Sequence, residues 1–192
     1  DREVCPLNLA PTASTAVAMA IGDALAAVWM QRQGITQADF AVNHPAGSLG
    51  RQLTLSVADL MVPIDTCPPL PPDAALPDVV DQLTGALAGA AWVQQPDQPK
   101  RLLGLITDGD LRRALRTHSP QAWAAIQAAD LMTTDPITAA PDQLAVAALE
   151  LMERNRRKSI SVLPVQAASG ELVGLLRLHD LVQAGLSRCY TV

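Results

Sequence analysis

The stretch LLGLITDGDLRRAL (residues 102–115) returns as LVGLLRLHDLVQAG (residues 172–185). A second recurrence, VADLM (57–61) against AADLM (128–132), lies 71 residues apart, and the first lies 70 apart. Two separate matches at nearly one offset identify an internal duplication. Within each copy the order of elements is the same. A Pro-rich extended piece comes first (PPLPP, 68–72; DPITAAP, 135–141), followed by a helical pattern (LPDVVDQLTGAL, 76–87; DQLAVAALELMERN, 142–155). Two short apolar strands follow (GAAWVQQ and RLLGLIT; SISVLPV and ELVGLLR), and a last helix closes the unit. Strands alternating with helices predict small α/β units packed as a pair.

The turn GLITDGDL (104–111) carries the chemistry worth weighing. An apolar strand ends at Thr107 and a helix begins by Asp110, a junction that points backbone N–H groups and a hydroxyl at one spot. A carboxylate in the first helical turn accepts two hydrogen bonds, as a ribose diol would supply. Helix capping by Thr107 with Asp108 or Asp110 explains the same residues without a ligand. The return of a carboxylate, Asp180, at the equivalent place in the second copy favours a ligand. In that copy Arg177 stands where the hydroxyl should be.

Composition narrows the rest. Hydrophobic residues make up 49% of 192 and charged residues 17%, with a formal net charge of −5. This supports a packed core and gives no electrostatic footprint for a nucleic acid. Cys5, Cys67 and Cys189 are scattered and odd in number, as in a reducing cytoplasm. With one isolated loop histidine and Cys5, no protein-only metal site can be argued. The basic run RNRRK (154–158) reads as a solvated helix end.

Upstream of the duplication, DREVCPLNLAP (1–11) starts without methionine, reads as strand and loop, and suggests a piece of a longer protein. Ala13–Gln33 reads as a helix, started by Thr12 or Ser14 and ended by Gly34. Its run from Ala16 to Met30 is too short to span a membrane and carries Asp23. A helix apolar on nearly all faces needs cover, from a missing segment or from another subunit. TQADFAVN (36–43) predicts a second helix, broken at His44-Pro45 in the loop NHPAGSLG (43–50). The hydroxyls of Thr12, Ser14 and Thr15 at the first helix start suit either caps or a phosphate group.

Residues 53 to 187 resemble a tandem pair of cystathionine-β-synthase (CBS) domains, whose Gly-apolar-apolar-Thr/Ser-x-x-Asp pattern is met by Gly104, Leu105, Ile106, Thr107 and Asp110. That resemblance implies an adenosine-type ligand held by Thr107 and Asp110, with Asp180 in the second copy. The order VCPLNLAPTASTAVAMAIGDALA, HPAGSLGRQL, VADLM is similar to that of the D-arabinose 5-phosphate isomerases, a sugar-isomerase (SIS) domain followed by a CBS pair. The family loop Ser-His-Pro-Gly-Gly-Ala-Leu-Gly is matched at His44, Pro45, Gly47, Leu49 and Gly50 and departed from at Asn43, Ala46 and Ser48. The expected fold is therefore α/β, built of α+β repeats. Residues 1–52 are the C-terminal remnant of an SIS α/β sandwich, 53–122 a first CBS domain, 123–187 a second, and 188–192 a tail.

The resemblance implies interconversion of D-ribulose 5-phosphate and D-arabinose 5-phosphate, feeding the Kdo sugar of lipopolysaccharide or capsule in the cytoplasm. It makes His44 the catalytic acid–base group, for which imidazole is suited, and places Thr12, Ser14 and Thr15 near the substrate. No cofactor is required. The expected partners are a sugar phosphate, an adenine or cytidine nucleotide in the CBS cleft, and further copies in a dimer or tetramer, with no nucleic acid and no membrane. The alternative reading is a nucleotide-sensing CBS module without activity.

Overall fold

The computed structural model describes residues 2–36, 39, 48–85, 88–154 and 160–186. It forms two compact units, residues 1–44 and 45–192. In the first, α1 spans Ala13–Gln33 as its composition predicts, and Gly34 ends it in the left-handed conformation with its N–H donating to Gln31. The helix start differs from expectation, because neither hydroxyl caps it alone. The Glu3 carboxylate does so, accepting from Thr12 N–H at 2.8 Å, Thr12 Oγ1 at 3.0 Å and Ser14 N–H at 3.2 Å. A carboxylate fits there because the first amides of a helix are unpaired and carry partial positive charge. Hydrogen bonds from Ser14 and Thr12 lower the Glu3 pKa from its ordinary 4.5 to about 2. Residues 2–12, read as strand and loop, are turns and bends with no strand.

No residue of α1 is buried. Val17, Met19, Ile21, Leu25, Val28 and Trp29 all face outward. With 21 residues the helix is long and apolar enough to cross a membrane by length and composition, which the shorter run Ala16–Met30 did not suggest. Asp23 near its middle opposes that, since a carboxylate at mid-bilayer costs roughly 2.5–3.5 kcal/mol.

The second unit contains the duplication. Two short helices lead in, α2 (Ser48–Thr54) and α3 (Val57–Leu60), followed by β1 (Val62–Pro63) and a 3-10 turn at Ile64–Thr66. The first repeat continues with α4 (Leu76–Gly85), β2 (Ala90–Gln94), β3 (Leu102–Thr107), α5 (Asp108–Thr117) and a 3-10 segment at Pro120–Ala125. The second opens with α6 (Ala128–Leu131) and β4 (Thr133–Thr134) and continues with α7 (Ala145–Arg154), β5 (Val162–Gln166), β6 (Leu172–Arg177) and α8 (Leu178–Gln183). The helix α7 buries Ala145, Ala148, Leu149 and Met152, the spacing of one helical face. The strands β2 and β5 bury four consecutive residues each, so they read as unbroken apolar runs.

Each repeat lends its opening residues to the other. The two sheets run β1-β6-β5 and β2-β3-β4, antiparallel throughout. Val62 and Pro63 pair with Leu175 and Gly174, whereas Thr133 and Thr134 pair with Leu105 and Gly104. The preceding helices cross in the same way. Val57 and Ala58 donate to the carbonyls of Gln143 and Pro141, and Ala128 and Ala129 donate to those of Ala74 and Pro72. Val57 thus lies in a core with Leu163, Leu176 and Leu181, while Leu131 lies in a core with Val79, Val93 and Ile106. A third core, with Trp92 and Leu105 against Val162, Leu172 and Leu175, joins the two sheets. Each of the sequence units 53–122 and 123–187 thus packs its opening residues into the other.

Two predictions follow from these contacts. The free carboxyl of Glu3 titrates near 4.5 and the bonded one near 2. Its hold on α1 is complete above pH 4.5 and is lost as the pH falls toward 2. Hydrogen exchange at the Thr12 and Ser14 amides is expected to accelerate over that window, and at neutral pH in Glu3→Gln; unchanged protection would remove Glu3 as the cap. In the second unit, a Cβ on Gly104 would lie 2.6 Å from Met132 Sδ, and one on Gly174 would lie 2.5 Å from Met61 Sδ and 2.9 Å from the Val62 carbonyl. Met side chains bend but the backbone of Val62 does not. Gly104→Ala and Gly174→Ala are each expected to cost about 1–3 kcal/mol, with Gly174→Ala the more damaging. Denaturant midpoints check this, and parent-like midpoints in both would show that the crossed leaders are not tightly seated.

Candidate functional site

The end of β3 and the start of α5 bring Thr107 and Asp110 together. The extended conformation of Thr107 turns its N–H and hydroxyl toward the first helical turn, where Asp110 Oδ2 accepts both, at 3.0 and 2.6 Å. The second oxygen, Oδ1, pairs with Arg113 one turn further along. Capping therefore occurs, as it does at Thr36–Asp39, Ser56–Asp59 and Gln127–Asp130. What sets Thr107 and Asp110 apart is that both also line a cavity of about 250 Å³.

That cavity lies between the repeats. Leu105, Thr107 and Asp110 form one wall, and Thr133, Asp135, Pro136 and Ile137, which leave β4, form a second. Ile160, Ser161 and Val162, leading into β5, close it. Asp135 adopts a left-handed conformation, φ 53°, and so turns the chain from β4 into the cavity wall. The apolar side chains can sandwich a flat ring, while three hydroxyls and two carboxylates supply acceptors and donors for a polyol. Thr133, Asp135 and Ser161 were not among the residues singled out from sequence. The ADLM repeat marks the approach to Thr133 and Asp135 but not the crossing that brings them to β3, and no repeated string marks Ser161.

The second copy is built differently at the same place. Arg177 ends β6 and grips Asp180 in two parallel bonds, Nε to Oδ2 at 2.6 Å and Nη2 to Oδ1 at 2.5 Å. These bonds raise the Arg177 pKa above its ordinary value. Beside this pair the leader of the first repeat is two residues longer than its counterpart. Leu70 bridges to Val93 nine positions after Met61, and Ala139 bridges to Val165 seven positions after Met132. The extra length forms the 3-10 turn, which buries Ile64 and Cys67 to 5% and 1% exposure. The Cys67 carbonyl accepts from Trp92 Nε1 at 2.7 Å.

In the first unit, Thr12 and Ser14 lie together at the start of α1, both bonded to Glu3, with Thr15 exposed beside them. His44 and residues 43–47 of its loop lie outside the described residues, as do residues 155–158 of the basic run; Ser48, Leu49 and Gly50 open α2, and Arg154 pairs with Glu150. His118 and His179 are both exposed, and the His118 ring lies 3.0 Å from the last carbonyls of α5, at Ala114.

Comparison with known proteins agrees with this geometry. The CBS domain family matches residues 128–187. The chain is 40% identical over 185 residues to the arabinose 5-phosphate isomerase KdsD of Yersinia pestis, covering 96% of this chain and 54% of that protein. It is also 40% identical to the KdsD of Pseudomonas aeruginosa, covering 55% of it. The chain thus spans about half the length of these relatives. Among solved structures, CBSX2 in complex with AMP superposes with a TM-score of 0.55 at 22% identity, covering 68% of this chain and 95% of that one. The CBS domain of a bacterial CNNM/CorC family Mg2+ transporter in complex with ATP gives 0.58 at 18%, covering 71% and 91%. These matches show that the chain is homologous to the arabinose 5-phosphate isomerases over about half of their length, and carries a CBS domain within a CBS-pair fold.

Proposed function

We propose that the chain is the C-terminal part of an aldose–ketose isomerase that interconverts D-ribulose 5-phosphate and D-arabinose 5-phosphate, and that its CBS pair takes one adenine or cytidine nucleotide between the repeats. The observation that carries the first half is 40% identity along 96% of the chain to arabinose 5-phosphate isomerases. In this reading His44 moves the proton between adjacent carbons, and Thr12, Ser14 and Thr15 lie near the sugar phosphate. The reading places the reaction in the cytoplasm, feeding Kdo synthesis. Further copies of the chain cover the apolar faces of α1 in a homo-oligomer.

The second half is supported by the cavity at Thr107 and Asp110 and by the AMP and ATP held in two proteins of the same fold. Aliphatic side chains take the base, and the acceptor lone pairs of Asp110 take the ribose hydroxyls. Cation bonding from Arg113 keeps that carboxylate oriented.

Calorimetric titration with AMP, ATP and cytidine nucleotides is expected to show one saturable site per chain. Asp110→Ala is expected to weaken it by about 1.5–3 kcal/mol, the scale of hydrogen bonds to a charged group. Binding indifferent to that substitution, or none at all, would overturn the nucleotide assignment. The 192-residue chain is expected to leave D-ribulose 5-phosphate unconverted, because positioned groups act as a unit. In a protein extended upstream, His44→Ala is expected to lower kcat by on the order of 10²-fold or more. Unchanged turnover there would return His44 to a structural loop role. An extended protein that binds nucleotide and never turns over sugar phosphate would establish the alternative, a sensing module.

A further inference from the structure

We propose that Arg177 is the permanent occupant of the second cleft, a side chain of the protein standing where the first cleft takes a ligand. The inference rests on the nucleotide reading of the first cleft only in its comparison; the contacts of Arg177 are independent of it.

Asp110 and Asp180 are equivalent carboxylates, and each is paired with a guanidinium. The two arrive from opposite sides. Arg113 comes from one helical turn after Asp110, is 48% exposed, and leaves the strand side of the carboxylate to Thr107 and the cavity. Arg177 comes from three residues before Asp180, the position of Thr107, so its head lies on the strand side. The residue three after Asp180 is Gln183, which brings no charge. Neutralisation of Asp180, 15% exposed, therefore falls to Arg177, itself 31% exposed.

The bonding is chemically that of a ligand. A ribose diol offers a carboxylate two O–H donors side by side, and a guanidinium offers two N–H donors in a rigid fork. Arg177 makes both bonds at once, one to each oxygen. The lengthened leader packs beside this pair, where the buried Ile64 and Cys67 share a core with Leu172 and Leu175 of β6. One half of the module thus exchanges its occupant with solution, and the other carries it covalently.

The test compares urea unfolding of the parent, Arg177→Ala, Asp180→Asn and the double variant. Arg177→Ala strands a mostly buried carboxylate, so its unfolding equilibrium is expected to shift by about tenfold or more. Asp180→Asn in that background keeps the shape and removes the charge, and is expected to recover most of the loss. Millimolar ethylguanidinium is expected to stabilise Arg177→Ala and not the double variant. An Arg177→Ala protein as stable as the parent, or one whose loss is untouched by Asp180→Asn, would overturn the proposal. AMP titration of the parent and of Asp180→Asn supplies the second readout: one site in both is expected, and two sites in the parent or a site lost in Asp180→Asn would overturn it. If AMP binds neither protein, the nucleotide reading of the first cleft falls, and the unfolding series alone decides the role of Arg177.

Discussion

The exchange of leaders is the constraint on which the second unit depends. Two-residue strands make few hydrogen bonds, and Val62–Pro63 and Thr133–Thr134 would not hold alone. They are fixed because the helices before them, Val57–Leu60 and Ala128–Leu131, are anchored by backbone bonds and buried in the opposite repeat. The methionines that follow close the arrangement. Met132 lies over Gly104 and Met61 over Gly174, at distances only a residue without Cβ allows. Each glycine in the Gly-apolar-apolar pattern is thus a seat for the other repeat's leader.

The candidate site is a by-product of that exchange. Because β4 crosses to β3, Thr133 and the residues from Asp135 to Ile137 line one cavity with Thr107 and Asp110. The approach to β5 supplies the remaining wall from the second repeat. A group bound there touches both repeats. Pseudo-symmetry creates a matching place at Arg177 and Asp180, and two local changes set it apart from the first. One is a side chain with its own donors, and the other is a leader long enough to form a turn.

Much of this was legible in the sequence. The duplication, the strand pairs LLGLIT and LVGLLR, and the helix Ala13–Gln33 followed from periodicity, composition and a closing glycine. Thr107 and Asp110 could be picked out because two matches at nearly one offset made chance improbable. The crossing of leaders was not legible, since a repeated string does not say which copy it packs against. Nor were Thr133, Asp135 and Ser161, which are ordinary turn and strand residues until the fold aligns them. Arg177 was visible as a departure, but pairing with Asp180 and meeting a phosphate remained open until the bonds were measured. Glu3 was overlooked because a cap nine residues before Thr12 has no sequence pattern. The wall-to-wall apolar character of α1 implied burial, and the described unit supplies none.

The crossed leaders also fix an order of events as the chain is made. The β2-β3-β4 sheet has two of its strands by Thr107, yet its third arrives only at Thr133. The second sheet takes an edge, Val62–Pro63, synthesised more than a hundred residues before the strand it pairs with. Neither half can finish on its own sequence, so the last strand to emerge locks the first. A nascent chain of this design holds an unpaired edge until its end, and closing so large a loop makes folding slow compared with a pair of self-contained repeats. The same wiring, cut between the copies and rejoined through space, is that of two short chains that have traded their first strands, so one gene holds together what would otherwise be a domain-swapped dimer.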